Sequence, residues 1–493
     1  MQNRQRRLTN WIKYGLQIIL YVLMFVCFFG FQAVSNPQLL NLSRTAVTTM
    51  MAFFLSTMIL SVVYGGFDIG LRKKRSVLSS MCLTFLFSDV VTYLFLQIMN
   101  VNPRNPEANK RLTLLGEDLL LLVVAIIVQM VLIYWIVSIG HRLYYRLNPP
   151  KRSLIITSSQ EMANQVASKL EIHKKRYRLC ECVHYECPDV KESILAHDVV
   201  FMAGVPDTEE GQLEAFCYHN NKSIYLMAEL EDVIISTAQS LVLDDMPFLY
   251  IHRVEPSPFQ LLFKRVMDIA ISLFGLIVFS PLMLAAAIAI KVCDHGPVFF
   301  RQQRATINGN IFSIFKFRTM SVAASNETEQ HSATKDDNRV TPVGRILRAS
   351  RIDELPQLWN VLKGDMSIVG PRPEMLENVN KYTAEVPEFR YRQQMKAGMT
   401  GLAQIEGKYN TSPKDKAMLD LIYIEQFSLA QDLKLMLRTL TIFFRRDSTE
   451  GFGEKKFDCP KMRVKPLLSA AADAEKASDI STDTQKDVYP TAL

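Results

Sequence analysis

Apolar positions follow two different patterns along this chain. Near the N-terminus they form long unbroken runs, and further on they recur as short clusters set between polar turns. Four early runs, Trp11–Val34, Thr45–Gly65, Val77–Met99 and Leu119–Ile139, are each long enough to cross a hydrocarbon core about 30 Å thick. Arg4, Arg6 and Arg7 precede the first run, and Arg72, Lys73, Lys74 and Arg75 lie between the second and third. Arg142, Arg146, Lys151 and Arg152 follow the fourth. The first loop carries only Arg44 near its end, while Arg104, Lys110 and Arg111 in the third weaken the asymmetry without reversing it. Residues 1–149 therefore read as a four-helix transmembrane region with both ends in the cytoplasm. The first run is too long for a signal peptide and lacks a small-residue cleavage site, so it reads as an anchor.

Residues 150–253 change to short strand-like and helix-like clusters in alternation. Ser153–Thr157, Leu179–Tyr185, Val199–Ala203, Ile224–Met227 and Phe248–Ile251 read as strands, and Glu161–Lys174 and Leu213–His219 as helices. That order predicts a Rossmann-like α/β domain with a parallel sheet. Its first strand–helix turn, Thr157-Ser-Ser-Gln-Glu161, lacks the glycines that let backbone approach a pyrophosphate. A structural or regulatory module is the expectation here, with nucleotide binding the weaker alternative. Cys180, Cys182 and Cys187 with His184 resemble metal ligands only superficially, because their spacing fits no closed zinc site. Alternation puts these cysteines on one face of a strand.

A fifth apolar run, Ile269–Ile290, is also long enough to span. Yet Lys264 and Arg265 precede it, and Lys291, Arg301 and Arg304 follow. Ser280-Pro281 sits in its middle, where proline removes a backbone donor and crowds the preceding turn. A helix that enters the membrane, breaks at Ser280 and Pro281 and returns to the same face satisfies both facts. The freed carbonyl needs a partner, and the Ser280 hydroxyl is a candidate. An ordinary kinked span is the competing reading.

The most informative stretch comes next. Arg345, Arg348 and Arg351 lead into the adjacent carboxylates Asp353 and Glu354. Leu355, Leu358, Trp359 and Leu362 then share a helical face of roughly three turns, ended by Gly364. Arg372 follows between Pro371 and Pro373, which stiffen its backbone. Arginine forks match phosphate oxygens, so an acidic pair ringed by arginines suggests phosphate chemistry. A helix cap worth about 0.3–1 kcal/mol is the plain alternative for Asp353 and Glu354.

The run from Asp353-Glu-Leu-Pro-Gln-Leu to Val-Gly-Pro-Arg-Pro373 resembles the bacterial sugar-transferase family, the monotopic phosphoglycosyl transferases. Lys264-Arg-Val-Met-Asp268, Gly296-Pro-Val-Phe-Phe-Arg301, Lys316-Phe-Arg318-Thr-Met320 and Gly398-Met-Thr-Gly-Leu-Ala-Gln404 match in the same order, and the resemblance covers residues 258–450. It implies an α/β catalytic domain with a re-entrant membrane helix broken at Ser280 and Pro281. It also implies transfer of a sugar-1-phosphate from a UDP-sugar to undecaprenyl phosphate, with UMP released, as the first step of a cell-surface glycan. By that pattern Asp353 attacks the sugar-bearing phosphate, Glu354 helps hold Mg²⁺, and Arg348 clamps a phosphate. Arg304, Lys316, Arg318 and Arg372, with Pro371 and Pro373, are the implied phosphate or nucleotide ligands. A solvated basic edge is the alternative for Lys316 and Arg318. Two places depart from the family: Gln302-Gln-Arg304 lacks an early glycine, and Ala397 stands where a proline is usual. They leave the sugar open.

Composition adds constraints. Hydrophobic residues make up 49% of the chain, in keeping with a membrane protein. The net charge of +7 comes from basic residues beside apolar runs, a pattern that favours an anionic lipid surface. No aromatic-interleaved basic strip points to nucleic acid. Scattered cysteines fit a reducing cytoplasm without disulfides. Residues 451–493 are polar and read as a disordered tail rather than an active element. The expected location is the inner membrane with the catalytic domain on its cytoplasmic face, and a homodimer is compatible with all of this. The competing function is a non-enzymatic scaffold for envelope assembly. A transferase that moves the sugar without its phosphate would release UDP instead.

Overall fold

The computed structural model describes residues 2–70, 72–99, 112–253, 255–321, 339–407, 411–442 and 460–464. The four early apolar runs become helices α1 (Gln2–Ser35), α2 (Arg44–Tyr64), α3 (Lys74–Met99) and α4 (Leu112–Leu147). α1, α3 and α4 extend past their apolar runs where flanking polar residues continue the helix, whereas α2 stops at Tyr64. Ser43 caps α2 by accepting from the Ala46 N–H, and Gly65 ends it in a left-handed conformation with φ +84°. α1 packs on α4 and α2 on α3, around Met24, Phe28, Phe53, Met81, Phe85 and Leu96. Gln32 and Gln129 hydrogen-bond backbone carbonyls on neighbouring helices, inside the bundle. Arg104, Lys110 and Arg111 lie outside the described residues.

The middle segment folds as β1 (Lys151–Thr157), α5 (Gln160–Glu171), β2 (Tyr177–His184), α6 (Val190–Ala196), β3 (Val199–Ala203), α7 (Asp207–His219), β4 (Ser223–Leu226) and α8 (Leu230–Ile235). The strands form one parallel sheet in the order β2-β1-β3-β4. Its buried strands are runs of Ile, Val and Leu, as a sheet covered on both faces requires. The expected strand near Phe248–Ile251 does not join this sheet. It is β6 (Met246–Tyr250), paired antiparallel with β5 (Gln239–Leu243) in a separate hairpin. The cysteines also depart from expectation. The β1–β2 register skips Cys180, so Cys180 is exposed while Cys182 is buried. An extra residue in one strand reverses which face the next side chain meets.

The remaining segment opens with α9 (Pro258–Asp294), one helical element that contains Pro281. Ser280 Oγ donates to the Ile277 carbonyl at 2.7 Å. That carbonyl is the one Pro281 cannot serve, since a helical N–H bonds four residues back. Both halves of α9 lie against the same α/β body. On one side Lys264 reaches Asp432 at 2.5 Å and the Val369 carbonyl at 2.9 Å, and Asp268 accepts from the Ile368 N–H. On the other, Ala286 and Ile290 pack on Phe317 and Leu347.

That body continues with the antiparallel hairpin β7 (Phe299–Ala305) and β8 (Ile311–Phe317), then α10 (Pro342–Ala349) and α11 (Gln357–Lys363). A two-stranded parallel pair, β9 (Ser367–Val369) and β10 (Gly398–Thr400), brackets α12 (Leu376–Glu385). Helices α13 (Leu402–Glu406), α14 (Pro413–Glu425) and α15 (Leu429–Ile442) complete it. Gly370 meets Gly398 and Gly401 backbone to backbone, and a Cβ on any of the three would fall about 2.1–2.2 Å from a main-chain atom. The core gathers Phe312, Leu358, Val361, Met366, Val369, Tyr423 and Phe427.

Two expectations for this region change. The helix after the carboxylates spans only Gln357–Lys363 and buries Gln357, Leu358, Asn360 and Val361, while Trp359 is exposed. Asn360 takes the inward position because it bonds the backbone of Ser313 and Phe315 on β8. The tail also changes. Residues 451–459 and 465–493 lie outside the described residues, but Pro460–Val464 does not stand apart: it docks on the middle sheet beside β2.

Candidate active site

Asp353 and Glu354 sit in a 3-10 turn, Ile352–Glu354, between α10 and α11. Arg351 enters that turn with φ +56°, in the left-handed region that costs an ordinary residue energy. The step breaks the helix between α10 and α11, so the two consecutive acidic residues fall in a tight turn rather than inside a helix. Thr341 caps α10 and so sets the direction in which Arg348 and Arg351 arrive.

Three cations close on Glu354. Lys316 of β8 and Arg372 each lie 3.4 Å from Oε1, and Arg351 lies 3.7 Å from Oε2. Burial pushes the Glu354 carboxyl up, but Lys316, Arg372 and Arg351 outweigh it and hold it down at about 2. Asp353 is the opposite case. Among the described residues its side chain makes no hydrogen bond or ion pair. Burial and the neighbouring Glu354 charge push it up to about 6, against the pull of Lys316, Arg348 and Arg351. Adjacent carboxylates thus carry separate protonation behaviour, which is how one site assigns different roles to like groups.

Arg372 is placed from behind. Arg392 is buried, bonds the Arg372 carbonyl at 2.8 Å and meets Asp420 of α14 at 2.6 Å, so the Pro-Arg-Pro turn is braced by a buried ion pair. Pro371 and Pro373 flank it, and the Pro373 carbonyl accepts from Arg304 at 3.2 Å. Arg304 also bonds Gln302. Its Nε is buried without a partner among the described residues, and burial, reinforced by Arg372, pushes its pKa down to about 10. A small cleft beside it is lined by Thr306, Arg372, Glu374, Arg392 and Gln393.

The structure therefore brings Lys316, Arg351 and Arg372 onto Glu354, with Arg304 against the Arg372 turn. Arg348 points its Nε at Thr319 Oγ1, 2.8 Å away, and acts on Asp353 through charge. Arg318 is a correction. Its side chain is buried, with Nη1 on Asp294 at 2.6 Å and Nε on the Pro297 carbonyl at 2.7 Å, so it pins the exit of α9 instead of joining the carboxylates. Alternation along β8 sends Lys316 and Arg318 to the same side, but the strand ends at Phe317, and Arg318 turns back toward the helix. Ser280 and Pro281 lie within α9, away from the carboxylate pair in the chain and with no acidic residue beside them in sequence.

Sequence reasoning missed Arg392, Glu374 and Asp420. The available signal was an aspartate inside the apolar stretch Met418–Ile424 of α14, which demands a buried partner. The roles of Lys264, Arg265 and Asp268 were also invisible. Arg265 of α9 bonds the Val361 and Leu362 carbonyls and so caps α11.

Residues 259–446 match the family described as bacterial sugar transferase. A UDP-glucose:undecaprenyl-phosphate glucose-1-phosphate transferase of Caulobacter vibrioides is 43% identical over 190 residues, covering 38% of this chain and 71% of the relative. A UDP-N-acetylgalactosamine-undecaprenyl-phosphate N-acetylgalactosaminephosphotransferase of Aeromonas hydrophila is 41% identical over 206 residues, 41% of this chain and 47% of its own length. An exopolysaccharide production protein PSS of Rhizobium leguminosarum is 39% identical over 189 residues, 37% of this chain and 94% of the relative. The chain belongs to the bacterial sugar transferase family. Among its described residues it also carries five helices long and apolar enough to cross a membrane.

Proposed function

We propose that this protein transfers a sugar-1-phosphate from a UDP-sugar to undecaprenyl phosphate and releases UMP, as the initiating step of a cell-surface polysaccharide. The observation that carries this reading is the asymmetry of the carboxylate pair. Glu354 is neutralised by three cations, whereas Asp353 has no partner among the described residues and ionises near pH 6. A free, desolvated carboxylate beside phosphate-binding arginines suits nucleophilic attack on phosphorus. In the first half-reaction an Asp353 oxygen bonds to the sugar-bearing phosphorus and the bond to UMP breaks. In the second, an oxygen of undecaprenyl phosphate attacks the same phosphorus and Asp353 leaves as a carboxylate. Lys316, Arg351 and Arg372 hold the phosphate oxygens, and Arg304 supplies an unused donor, Nε, next to Arg372.

Mg²⁺ suits the donor set. No group of three His, Cys, Asp or Glu occurs among the described residues, and Mg²⁺ commonly takes one or two carboxylates with the rest from substrate and water. Glu354 would hold it, since its cation contacts of 3.4–3.7 Å are long enough to yield to an ion. When bound it would offset the charge of the diphosphate.

The membrane reading belongs to the same proposal. α9 re-enters rather than crosses, so the site stays on the cytoplasmic face with the nucleotide. Its support is that Lys264 before Pro281 and Ile290 after it rest on one α/β body, with Asp294 tied to Arg318. For the middle domain, the parallel order β2-β1-β3-β4 supports a doubly wound α/β reading of the flavodoxin-like variety. The relatives' names differ in their sugar, glucose in one and N-acetylgalactosamine in another. The test is to supply membranes carrying the protein with a panel of UDP-sugars and undecaprenyl phosphate. One UDP-sugar should yield UMP and a lipid-linked sugar diphosphate. UDP as the nucleotide product, or no turnover with any sugar, refutes the reading.

A further inference from the structure

The middle domain offers a peptide-binding edge. β2 is the outer strand of the sheet order β2-β1-β3-β4, and an outer strand leaves its N–H and C=O groups unpaired. Here Pro460–Val464 meets that edge through one parallel bridge, Val183 opposite Arg463. The Arg463 N–H donates to the Cys182 carbonyl at 2.9 Å, and the His184 N–H donates to the Arg463 carbonyl at 2.9 Å. Side chains then alternate, as in any strand. Met462 packs on the layer formed by Ile155, Ala163, Leu170 and Val199. Arg463 turns the other way into an acidic notch, with Nε on Glu181 at 2.8 Å, Nη2 on Ser193 at 2.7 Å, and Nη1 on Asp189.

The position along the domain matters as much as the contacts. The Met462 N–H donates to Gln160 Oε1 at 2.8 Å, at the first turn of α5. In parallel α/β domains this first strand–helix turn is where a nucleotide phosphate is cradled. Here the turn lacks glycines and presents a glutamine side chain to a peptide backbone. The acidic notch beside it would repel a phosphate and attract a guanidinium.

We propose that the middle domain is a receptor for an extended, arginine-bearing peptide, and that its ligand is the chain's own segment Pro460–Val464, bound in cis. Strand addition supplies generic backbone pairing, and the notch for Arg463 supplies selectivity. The segment follows α15 in the chain, so binding ties the end of the catalytic body back to the middle domain. The two also touch through Leu230 and Val233 of α8 against Leu421 of α14.

The test uses the full chain and a chain ending at Gly451, both in detergent, followed by hydrogen exchange. In the shortened chain, the His184 amide, the one amide of β2 that donates to the segment, should exchange at least about tenfold faster, while Val199–Ala203 stays protected. A synthetic peptide of residues 457–467 should restore the protection, and the same peptide with Arg463→Glu should not. Unchanged exchange of the His184 amide would overturn the proposal. So would failure of the unmodified peptide to restore it. Loss of protection in Val199–Ala203 as well would make the segment an integral strand rather than a ligand, and also overturns it. Dilution decides the geometry: cis binding predicts that protection of His184 in the full chain is independent of protein concentration, and its loss on dilution would mean exchange between copies and overturn the cis assignment. Arg463 is outside the carboxylate site, so none of these outcomes bears on UMP release.

Discussion

Replacing Asp353 by asparagine should stabilise this protein while stopping its chemistry. Asp353 ionises at about 6 in the fold against 3.8 for a free aspartate, because burial and Glu354 disfavour its charge. The folded state then binds the proton more tightly than the unfolded state between those values. Stability linked to this group is present below pH 3.8 and is lost as pH rises through about 6. A shift of about two pKa units corresponds to ~3 kcal/mol of strain carried above pH 6. An asparagine side chain has no charge to bury, so Asp353→Asn should gain up to that amount at pH 8 and little at pH 4. Glu354→Gln should do the reverse. Glu354 is held at about 2 against 4.5, so its stabilisation is present above pH 4.5 and is lost as pH falls through about 2. In a domain of this size each kcal/mol moves the unfolding temperature by ~2–4 °C. Thermal unfolding of the purified protein in detergent therefore moves the two variants several degrees in opposite directions at pH 8, whereas at pH 4 Asp353→Asn returns close to wild type and Glu354→Gln stays below it. If the pair were merely a helix cap, Asp353→Asn would lose about 1 kcal/mol at pH 8. An Asp353→Asn protein that melts at or below wild type at pH 8 rules out a strained, buried charge at this position.

The same geometry fixes two further outcomes. Only ionised Asp353 can attack, so kcat/KM should be level above pH 6 and fall about tenfold per unit below it; Lys316→Met, which removes a cation that lowers the Asp353 pKa, should move that midpoint up by about one unit, and an unmoved midpoint counts against the assignment. Exposed Cys293 at the end of α9 and exposed Cys180 in the middle domain should both escape a membrane-impermeant maleimide in intact cells and both react after permeabilisation, whereas labelling of Cys293 alone in intact cells would place the α9 exit outside and end the re-entrant reading.

Much of the fold was legible because its signals are local. Four apolar runs define α1 to α4, and short apolar clusters define β1, β3 and β4. The carboxylate pair was legible because Asp353, Glu354 and three arginines are close in sequence. What failed was long-range. The docking of Arg463 on Glu181 joins positions 282 residues apart, and five residues in a polar tail show no periodicity to reveal it. Trp359 was expected inside because periodicity counts apolar residues. Asn360 takes that place instead, since β8 needs a polar partner and Trp359 can face an apolar surround. Arg318 resembled Lys316 by alternation, yet the end of β8 and the negative charge of Asp294 turned it away. Arg392 and Asp420 brace Arg372 across 28 residues, a relation that appears only once α14 is packed.

The proposed chemistry depends above all on a covalent phospho-sugar at Asp353, which intact-protein and peptide mass spectrometry can detect. Purified enzyme incubated with its UDP-sugar and Mg²⁺, without undecaprenyl phosphate, should release UMP in an amount no greater than the enzyme present. The peptide containing Asp353 should gain the mass of one sugar phosphate and lose it when undecaprenyl phosphate is added, and Asp353→Asn should show neither. UMP appearing only in the presence of acceptor, with no adduct trapped on Asp353, would contradict the covalent route and leave direct transfer as the mechanism.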